Sequence, residues 1–197
     1  MMRRNGVCKF ISLHLIPHLY NCIKRRKMET LPATGTVRGV FFSLGTTPAT
    51  NDSKFDCAGA VIGLFNQAKK TAHIAIYSLT EPEIVNAMIA ANKRGVKVAV
   101  LADATESKNA NQAAMIKALT QAGIDVRLAV RQTALMHNKI GIFDGKTICT
   151  GSFNWTTNAE KHNDENLLVV DGVDLAADYE KYVFQRILQN ETLIRAK

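Results

Sequence analysis

The chain lacks the features that define several large classes of protein. Its four cysteines contain no closely spaced pair, and no group of histidines and carboxylates has the spacing of a metal site. We therefore expect the cysteines to act as small buried apolar residues, and we expect catalysis without a divalent ion or other cofactor. The apolar stretch 10–20 is interrupted by Pro17 and two histidines and is too short to span a bilayer.

Acidic residues are absent from the first 27 positions, which hold seven of the 25 lysines and arginines. Residues 28–197 carry the other 18 basic side chains against 17 acidic ones, so most of the net charge of +8 belongs to the N-terminal segment. The remainder is nearly neutral, and any affinity for phosphate must come from a local patch rather than from a global field.

Residues 1–36 form a basic segment for which three explanations remain open. The first is a misassigned start, since Met28 begins a chain without the basic residues. The second is a targeting or membrane-associating segment, and the third is an arm that binds nucleic acid. The compartment therefore stays undecided between periplasmic or secreted and cytoplasmic.

Residues 37–197 have the pattern of one domain in which strands and helices alternate. The pattern predicts strands at 37–43, 72–78, 96–102, 124–130 and 166–170, and helices at 56–69, 81–93, 109–122 and 175–189. Strands separated by helices indicate a largely parallel sheet with helices on both faces. A hairpin at 137–150 adds an antiparallel element, so we predict an α/β fold with a mixed, largely parallel sheet.

Most of the polar chemistry lies in the stretch HNKIGIFDGKTICTGSFN, residues 137–154. Its two strand-like halves flank an Asp144-Gly145 turn, and His137 and Lys139 share a face because alternate strand residues point the same way. If the turn has two residues, Ser152 lies opposite His137 and Asn154 extends the polar face. An imidazole beside an ammonium group and neutral hydrogen-bonding groups suits phosphoryl chemistry, in which negative charge rises during reaction.

The spacing of these residues resembles the signature of the phospholipase D superfamily. That signature is His-x-Lys-x4-Asp followed by Gly-Ser-x-Asn, here His137-Asn138-Lys139, Asp144 and Gly151-Ser152-Phe153-Asn154. Residues 74–103 resemble the first βαβ unit of the superfamily, and 163–166 its downstream acidic element. The resemblance extends over about residues 38–189 and is strongest to the small bacterial nucleases that carry one copy of the motif.

The resemblance implies a role for each motif residue. His137 is expected to attack phosphorus and form a phosphohistidine, and Lys139 to bind the nonbridging oxygens. Ser152 and Asn154 are expected to orient the phosphate or donate to it. Glu165 is expected to hold the imidazole of His137 through a carboxylate–imidazole bond.

Other residues of interest are less firmly placed by the sequence. Asp144 belongs to the motif, but its position in a turn at the far end of the hairpin favours a structural role. A second group is predicted to line a substrate groove: Tyr77, Ser78, Arg131, Trp155 and Lys161. For Trp155, a base-stacking platform and a packing residue are both open, and packing is favoured.

The chain has one copy of the motif and no internal repeat, whereas the mechanism implied by the resemblance uses two histidines. We therefore expect a homodimer with one composite site at a two-fold interface. The predicted function is a metal-independent phosphodiesterase, specifically an endonuclease for DNA or RNA with little sequence preference. Two alternatives stay open: a lipid phosphodiesterase acting on phospholipid or cardiolipin, anchored by its N-terminal segment, and a catalytically idle dimer that binds nucleic acid.

Overall fold

A computed structural model of the chain describes residues 34–45, 52–131, 133–190 and 192–196. The described strands form one eight-stranded sheet in the order β1-β7-β6-β5-β2-β3-β4-β8. The strands are β1 (Thr36–Ser43), β2 (Thr71–Ile76), β3 (Lys97–Asp103), β4 (Asp125–Val130), β5 (Lys139–Phe143), β6 (Thr147–Gly151), β7 (Glu165–Asp171) and β8 (Thr192–Arg195). Nearly all of the predicted segment 1–36 lies outside the described residues.

The mixed sheet between two layers of helices confirms the predicted fold class, but the prediction that the sheet is largely parallel is wrong. Among the described strands only the β2–β3 and β3–β4 pairings are parallel. The hairpin β5–β6, the next strand β7 and the two outer strands β1 and β8 all pair antiparallel with their neighbours. The prediction extended the helix-linked pattern of the first half of the chain to the second half, where successive strands reverse direction.

The helices cover both faces of the sheet. They are α1 (Cys57–Gln67), α2 (Pro82–Lys93), α3 (Ala110–Gln121), α4 (Thr157–His162), α5 (Val173–Tyr179) and α6 (Arg186–Asn190). The first four contribute to a core cluster on one face, and α5, α6 and the π-helical segment Glu180–Gln185 between them contribute to a second cluster on the other. No helix in the described parts of the chain is long and apolar enough to cross a membrane.

Five elements were not predicted from the sequence: α4, β8, the π-helical segment and the short 3-10 helices Ser53–Phe55 and Glu106–Lys108. The sequence predicts one amphipathic helix at 175–189, and the structure widens its middle into i→i+5 hydrogen bonding. Helix α4 has only six residues and is started by Thr156, whose hydroxyl accepts a hydrogen bond from the amide of Ala159 at 3.0 Å. Elements this short carry too little periodicity to be recognised.

One edge of the sheet gathers the strand ends that matter for function. Strands β2, β3 and β4 all end there, β1 and β6 end there too, and β5 and β7 begin there. We call it the C-terminal edge, after the ends of the parallel strands. In open α/β sheets ligands bind beyond this edge.

Candidate active site

His137 and Lys139 lie at the C-terminal edge, where β5 begins beside the end of β2. The amide of Tyr77 donates to the carbonyl of Asn138 at 2.8 Å, and Lys139 pairs with Ile76. The Nζ atom of Lys139 lies 3.1 Å from Nδ1 and 3.3 Å from Nε2 of His137, and it donates to the His137 carbonyl at 3.1 Å. An exposed imidazole is thus paired with an ammonium group from a residue that is only 7% exposed.

The surroundings of Lys139 make it a strong partner for an anion. Burial lowers the pKa of the Lys139 ammonium, and the negative charge of Glu165 acts in the opposite direction. The ring of Tyr77 lies 5.2 Å from Nζ and packs at a tilt against the His137 ring, with centroids 4.5 Å apart. A partly desolvated cation attracts a phosphate oxygen more strongly than an exposed lysine does, because water screens it less.

The hairpin register differs from the expectation by one residue. Ile140 pairs with Thr150, and Phe143 with Thr147, so the loop is one residue longer than a two-residue turn. Asp144 and Gly145 both adopt positive φ, at 52° and 62°, and the extra residue follows them. A shift of one residue reverses the face on which a side chain lies, so the prediction that Ser152 faces His137 is wrong.

Ser152 lies at the same edge but is tied to β7 instead. Its amide donates to the carbonyl of Asn166 at 3.1 Å, and its hydroxyl accepts from the amide and the side-chain nitrogen of Asn166 at 3.1 and 3.3 Å. Both side chains are exposed, so the hydroxyl of Ser152 is accessible from solvent at this edge of the sheet. Its role toward phosphate remains a prediction.

Trp155 holds the segment that follows Ser152 against the segment that follows β2. The amide of Trp155 donates to the carbonyl of Ser78 at 3.1 Å, and its carbonyl accepts from the amides of Thr80 and Glu81 at 2.9 and 3.0 Å. The Trp155 ring is fully buried and meets Phe65 edge-on at 6.0 Å. Trp155 is therefore a packing residue, and its placement in the substrate groove is corrected.

The side-chain oxygen of Asn154 is buried and has no hydrogen-bond partner among the described residues. The expected role of Asn154 in donating to the phosphate remains a prediction.

Asp144 lies at the other end of the hairpin, five residues along from Lys139, or about 17 Å of strand. Its carboxylate accepts from the backbone amides of Lys69, Lys70 and Thr71 at 2.7–3.1 Å. Burial alone raises the pKa of this carboxyl, but these amide bonds lower it by more, so the net pKa lies below its usual range. Asp144 thus joins the hairpin to the start of β2 and is not part of the cluster at the C-terminal edge.

Glu165 begins β7 on the same face of the sheet as Lys139. Its carboxylate accepts a hydrogen bond from the side chain of Asn163 at 3.0 Å and raises the pKa of Lys139. Among the described residues, no hydrogen bond joins this carboxylate to the imidazole of His137. A role for Glu165 in orienting His137 remains a prediction.

The remaining groove predictions divide between the site and its surroundings. Tyr77 packs on His137, and burial, followed by the charge of Glu106, raises the pKa of its phenol. Ser78 is buried, and its hydroxyl donates to Glu106 at 3.0 Å, so it does not line the surface. Arg131 follows β4 at the same edge, and Lys161 is an exposed residue of α4.

Two buried polar residues that the sequence analysis missed hold the site in place. Asp103 is 1% exposed and ends β3; its two oxygens accept the amides of Thr105, Glu106 and Met136 at 2.8, 2.9 and 2.9 Å. Since Met136 directly precedes His137, this carboxylate fixes the approach of the chain to the imidazole. A carboxylate at the carboxyl end of a predicted parallel strand was the signal available in the sequence.

The second missed residue is Gln112 of α3, which is fully buried. Its side-chain oxygen accepts the amide of Leu79 at 2.7 Å, and its nitrogen donates to the carbonyl of Tyr77 at 3.2 Å. These bonds fix the chain on both sides of Ser78. Within the described residues no group of three or more histidine, cysteine or acidic side chains is arranged to hold a metal ion.

Comparison with known proteins assigns the family. A family model described as the cardiolipin synthase, PLD-like domain matches residues 61–188. The chain therefore belongs to the phospholipase D-like family, and the resemblance seen in its sequence is confirmed. The match includes strands β2 to β7 and helices α2 to α5, with part of α1 and part of α6.

Individual relatives cover much of the chain. It is 33% identical over 134 residues to a phospholipase D of Rickettsia typhi, covering 68% of this chain and 64% of that protein. It is 32% identical over 114 residues to a mitochondrial cardiolipin hydrolase of Chlamydomonas reinhardtii, covering 58% and 50%. The chain thus spans less than two thirds of the length of these relatives.

A solved structure matches more completely. The phospholipase D family member Nuc from Salmonella typhimurium superimposes with a TM-score of 0.71 at 28% identity. The match covers 82% of this chain and 99% of Nuc. The mixed eight-stranded sheet with its helical layers is thus the fold of this family.

Proposed function

We propose that this protein is a phosphodiesterase that hydrolyses nucleic acid through a covalent intermediate on His137. The single observation that carries the proposal is the pairing of an exposed imidazole with a buried ammonium at 3.1–3.3 Å on the open edge of the sheet. A nucleophile beside a fixed cation suits attack on a phosphodiester, whose oxygens gain charge in the transition state. Membership in the phospholipase D-like family supports the same chemistry.

In the proposed reaction a ring nitrogen of His137 attacks phosphorus. The N–P bond forms as the bond from phosphorus to the leaving oxygen breaks, and a general acid protonates that oxygen. Water then attacks the phosphohistidine, gives up its proton to the same group acting as base, and releases the imidazole. Lys139 stabilises the nonbridging oxygens in both steps.

The general acid is proposed to be His137 of a second copy of the chain. The described residues place no second histidine against His137, since His73 pairs with Glu180 on the helical face and His162 lies at the end of α4. A two-fold dimer supplies one from an identical site. The outer strand β1 offers a surface for this contact, because Val40 and Phe42 are exposed on it near the C-terminal edge.

The dimer proposal is tested by Phe42→Glu, with Val173→Glu as the matched control at another exposed apolar side chain. Sedimentation should show a dimer for wild type and control and a monomer for Phe42→Glu, with specific activity lost in proportion to dissociation. A fully active monomeric variant would exclude a shared site.

Lipid hydrolysis is the second candidate, because the curated relatives are named phospholipase D and cardiolipin hydrolase. The structural relative is named Nuc, which points toward nucleic acid. We favour nucleic acid because, among the described residues, the surface beside the site carries two arginines and an exposed tyrosine.

The test compares three substrates with the purified full-length protein in excess EDTA: plasmid DNA, single-stranded RNA and vesicles that contain cardiolipin. We expect cleavage of nucleic acid by wild type and a loss of at least roughly 10³-fold in rate for His137→Ala. His162→Ala, at an exposed histidine of α4, should retain full activity. Hydrolysis confined to cardiolipin would transfer the assignment to the lipid alternative, and no turnover of any phosphodiester would reject it.

A further inference from the structure

A polar pocket opens beside the candidate active site, on the opposite face of β5 and of the residues that lead into it. Its volume is about 270 Å³, and it is lined by Arg131, Asn138, Tyr182, Val183, Arg186 and Ile187. Asn138 stands between His137 and Lys139 in sequence, and successive residues of an extended chain point to opposite faces. Ile140, two residues after Asn138, points to the same face as Asn138. Ile140 packs in the core cluster that contains Phe184 and Ile187, so Asn138 lies on the face covered by these residues.

The lining of this pocket comes from three separate parts of the chain that meet at the C-terminal edge. Arg131 follows the end of β4, Asn138 precedes β5, and the other four residues belong to the π-helical segment and α6. Val183 and Ile187 pack on the core and form an aliphatic floor. Arg131 donates to the carbonyl of Leu135 at 3.0 Å and Asn138 to the Sδ of Met136 at 3.6 Å, and each guanidinium group carries five N–H donors in all. Two arginines suit a phosphate group, which accepts from guanidinium in a two-pronged geometry.

The rim of the pocket carries an aromatic ring that the core does not use. Tyr182 is 58% exposed, and the Nζ atom of Lys181 lies 4.8 Å from the centre of its ring. It belongs to the π-helical segment Glu180–Gln185, and π-helical turns inside α-helices occur frequently at functional sites. Cations grouped around an exposed aromatic ring are the combination that binds single-stranded nucleic acid, with phosphate on the cations and a base on the ring.

We infer that this pocket binds a nucleotide flanking the scissile phosphodiester of a single-stranded nucleic acid. Arg131 and Arg186 hold its phosphate, and Tyr182 stacks on its base. The inference rests on the proposed phosphodiesterase function and adds a determinant of substrate class. A single-stranded nucleic acid that crosses the C-terminal edge places one phosphate at His137 and a neighbouring nucleotide on the other face of β5. The pocket contributes to binding and takes no part in the bond-breaking steps.

The test is the double variant Arg131→Gln/Arg186→Gln in the full-length protein. Its matched control is Lys93→Gln/Lys117→Gln, which removes two charges from the exposed surfaces of α2 and α3. We expect KM for a single-stranded oligonucleotide to rise about 10-fold or more, since each lost charge-assisted hydrogen bond weakens binding. Cleavage of bis(4-nitrophenyl) phosphate, which has no flanking nucleotide, should be unchanged.

Binding measured in the His137→Ala background separates this inference from the proposed function. The slope of log binding constant against log salt concentration should fall by about 1.4 for the double variant, the value for two contacts to a single strand. Tyr182→Ala should weaken binding without changing that slope. If the salt slope of the double variant is unchanged while wild type is active, the inference about the pocket is wrong and the proposed function stands. If the double variant loses activity equally on the oligonucleotide and on bis(4-nitrophenyl) phosphate, the two arginines have a structural role and the inference is also wrong. A loss confined to cardiolipin vesicles would assign the pocket to a lipid phosphate, and a wild type that cleaves no phosphodiester rejects the proposed function itself.

Discussion

Asp103→Asn is the substitution that most directly tests how the fold positions His137. The carboxylate is 1% exposed and accepts three backbone amides, two on one oxygen and one on the other. Asparagine keeps one accepting oxygen and replaces the other with an NH₂ group, which cannot accept. The NH₂ group of the substituted side chain would then face either the amide N–H of Met136 or the amide N–H groups of Thr105 and Glu106, and neither arrangement forms a hydrogen bond.

The size of the effect follows from these bonds. A hydrogen bond to a charged group contributes about 1.5–3 kcal/mol, and a buried donor left without a partner costs about 1–3 kcal/mol. We therefore expect Asp103→Asn to lower the free energy of unfolding by about 2–4 kcal/mol. Because the chain next to His137 is released, kcat should also fall, by about 10- to 100-fold. KM for an oligonucleotide should change little, since the binding surfaces remain.

Urea unfolding followed by circular dichroism measures the first quantity, and steady-state kinetics on the folded fraction measures the second. Asp174→Asn serves as the control, because this exposed carboxylate in the first turn of α5 should contribute no more than about 1 kcal/mol. The reasoning is refuted if both variants have the same stability and the same kcat. A less stable Asp103→Asn with normal kcat would limit the residue to a structural role.

Three further predictions follow from the same geometry. Glu165→Gln removes the negative charge that raises the pKa of Lys139, while burial still lowers that pKa. The alkaline limb of the kcat/KM profile should therefore move to lower pH. An unmoved limb would show that Glu165 does not influence the ionisation of Lys139 during catalysis. Asp144→Ala removes three amide bonds at a positive φ and should cost about 2 kcal/mol of stability with unchanged kcat. Because the net pKa of Asp144 is lowered, this stabilisation is present above the ordinary carboxyl pKa and disappears as pH falls through the folded value, which pH-dependent unfolding would show. Trp155→Phe should cost about 1–3 kcal/mol by thermal unfolding yet leave oligonucleotide affinity unchanged; weakened binding by a folded variant would contradict its role in packing.

The sequence was sufficient where local pattern determines structure. Strands and helices from β1 to β4 were predicted to within two residues at each end, because apolar periodicity and glycine stops such as Gly95 and Gly123 are local signals. Both of these glycines adopt positive φ, at 95° and 80°, which explains why they end their helices. His137 and Lys139 were predicted as site residues from the combined spacing of the motif in residues 137–154, and the structure places their side-chain nitrogens 3.1–3.3 Å apart.

The rest depended on contacts between distant segments. The predicted hairpin register was wrong because an Asp-Gly pair does not show whether a third loop residue, here Lys146, follows the two positive-φ positions. The position of Asp103 at a strand end marks it as a candidate, but no local pattern encodes the hydrogen bonds that Asp103 and Gln112 make to residues 33 to 35 positions away. The pocket around Arg131 forms because residues 182–187 pack beside Asn138 at the start of β5. The amphipathic pattern at 175–189 predicts a helix there but does not predict which strand it packs against.

Detection of a covalent phosphoryl group on His137 would test directly whether this residue is the nucleophile. Wild-type protein and His137→Asn would each be mixed with an oligonucleotide, quenched in alkali during turnover and analysed by mass spectrometry of the peptide that contains residue 137. We expect a nucleotide phosphoryl adduct on His137 in wild type that appears and decays at rates consistent with turnover, and no adduct in the variant. Rapid cleavage by wild type with no adduct at any time, or undiminished cleavage by His137→Asn, would contradict this role of His137.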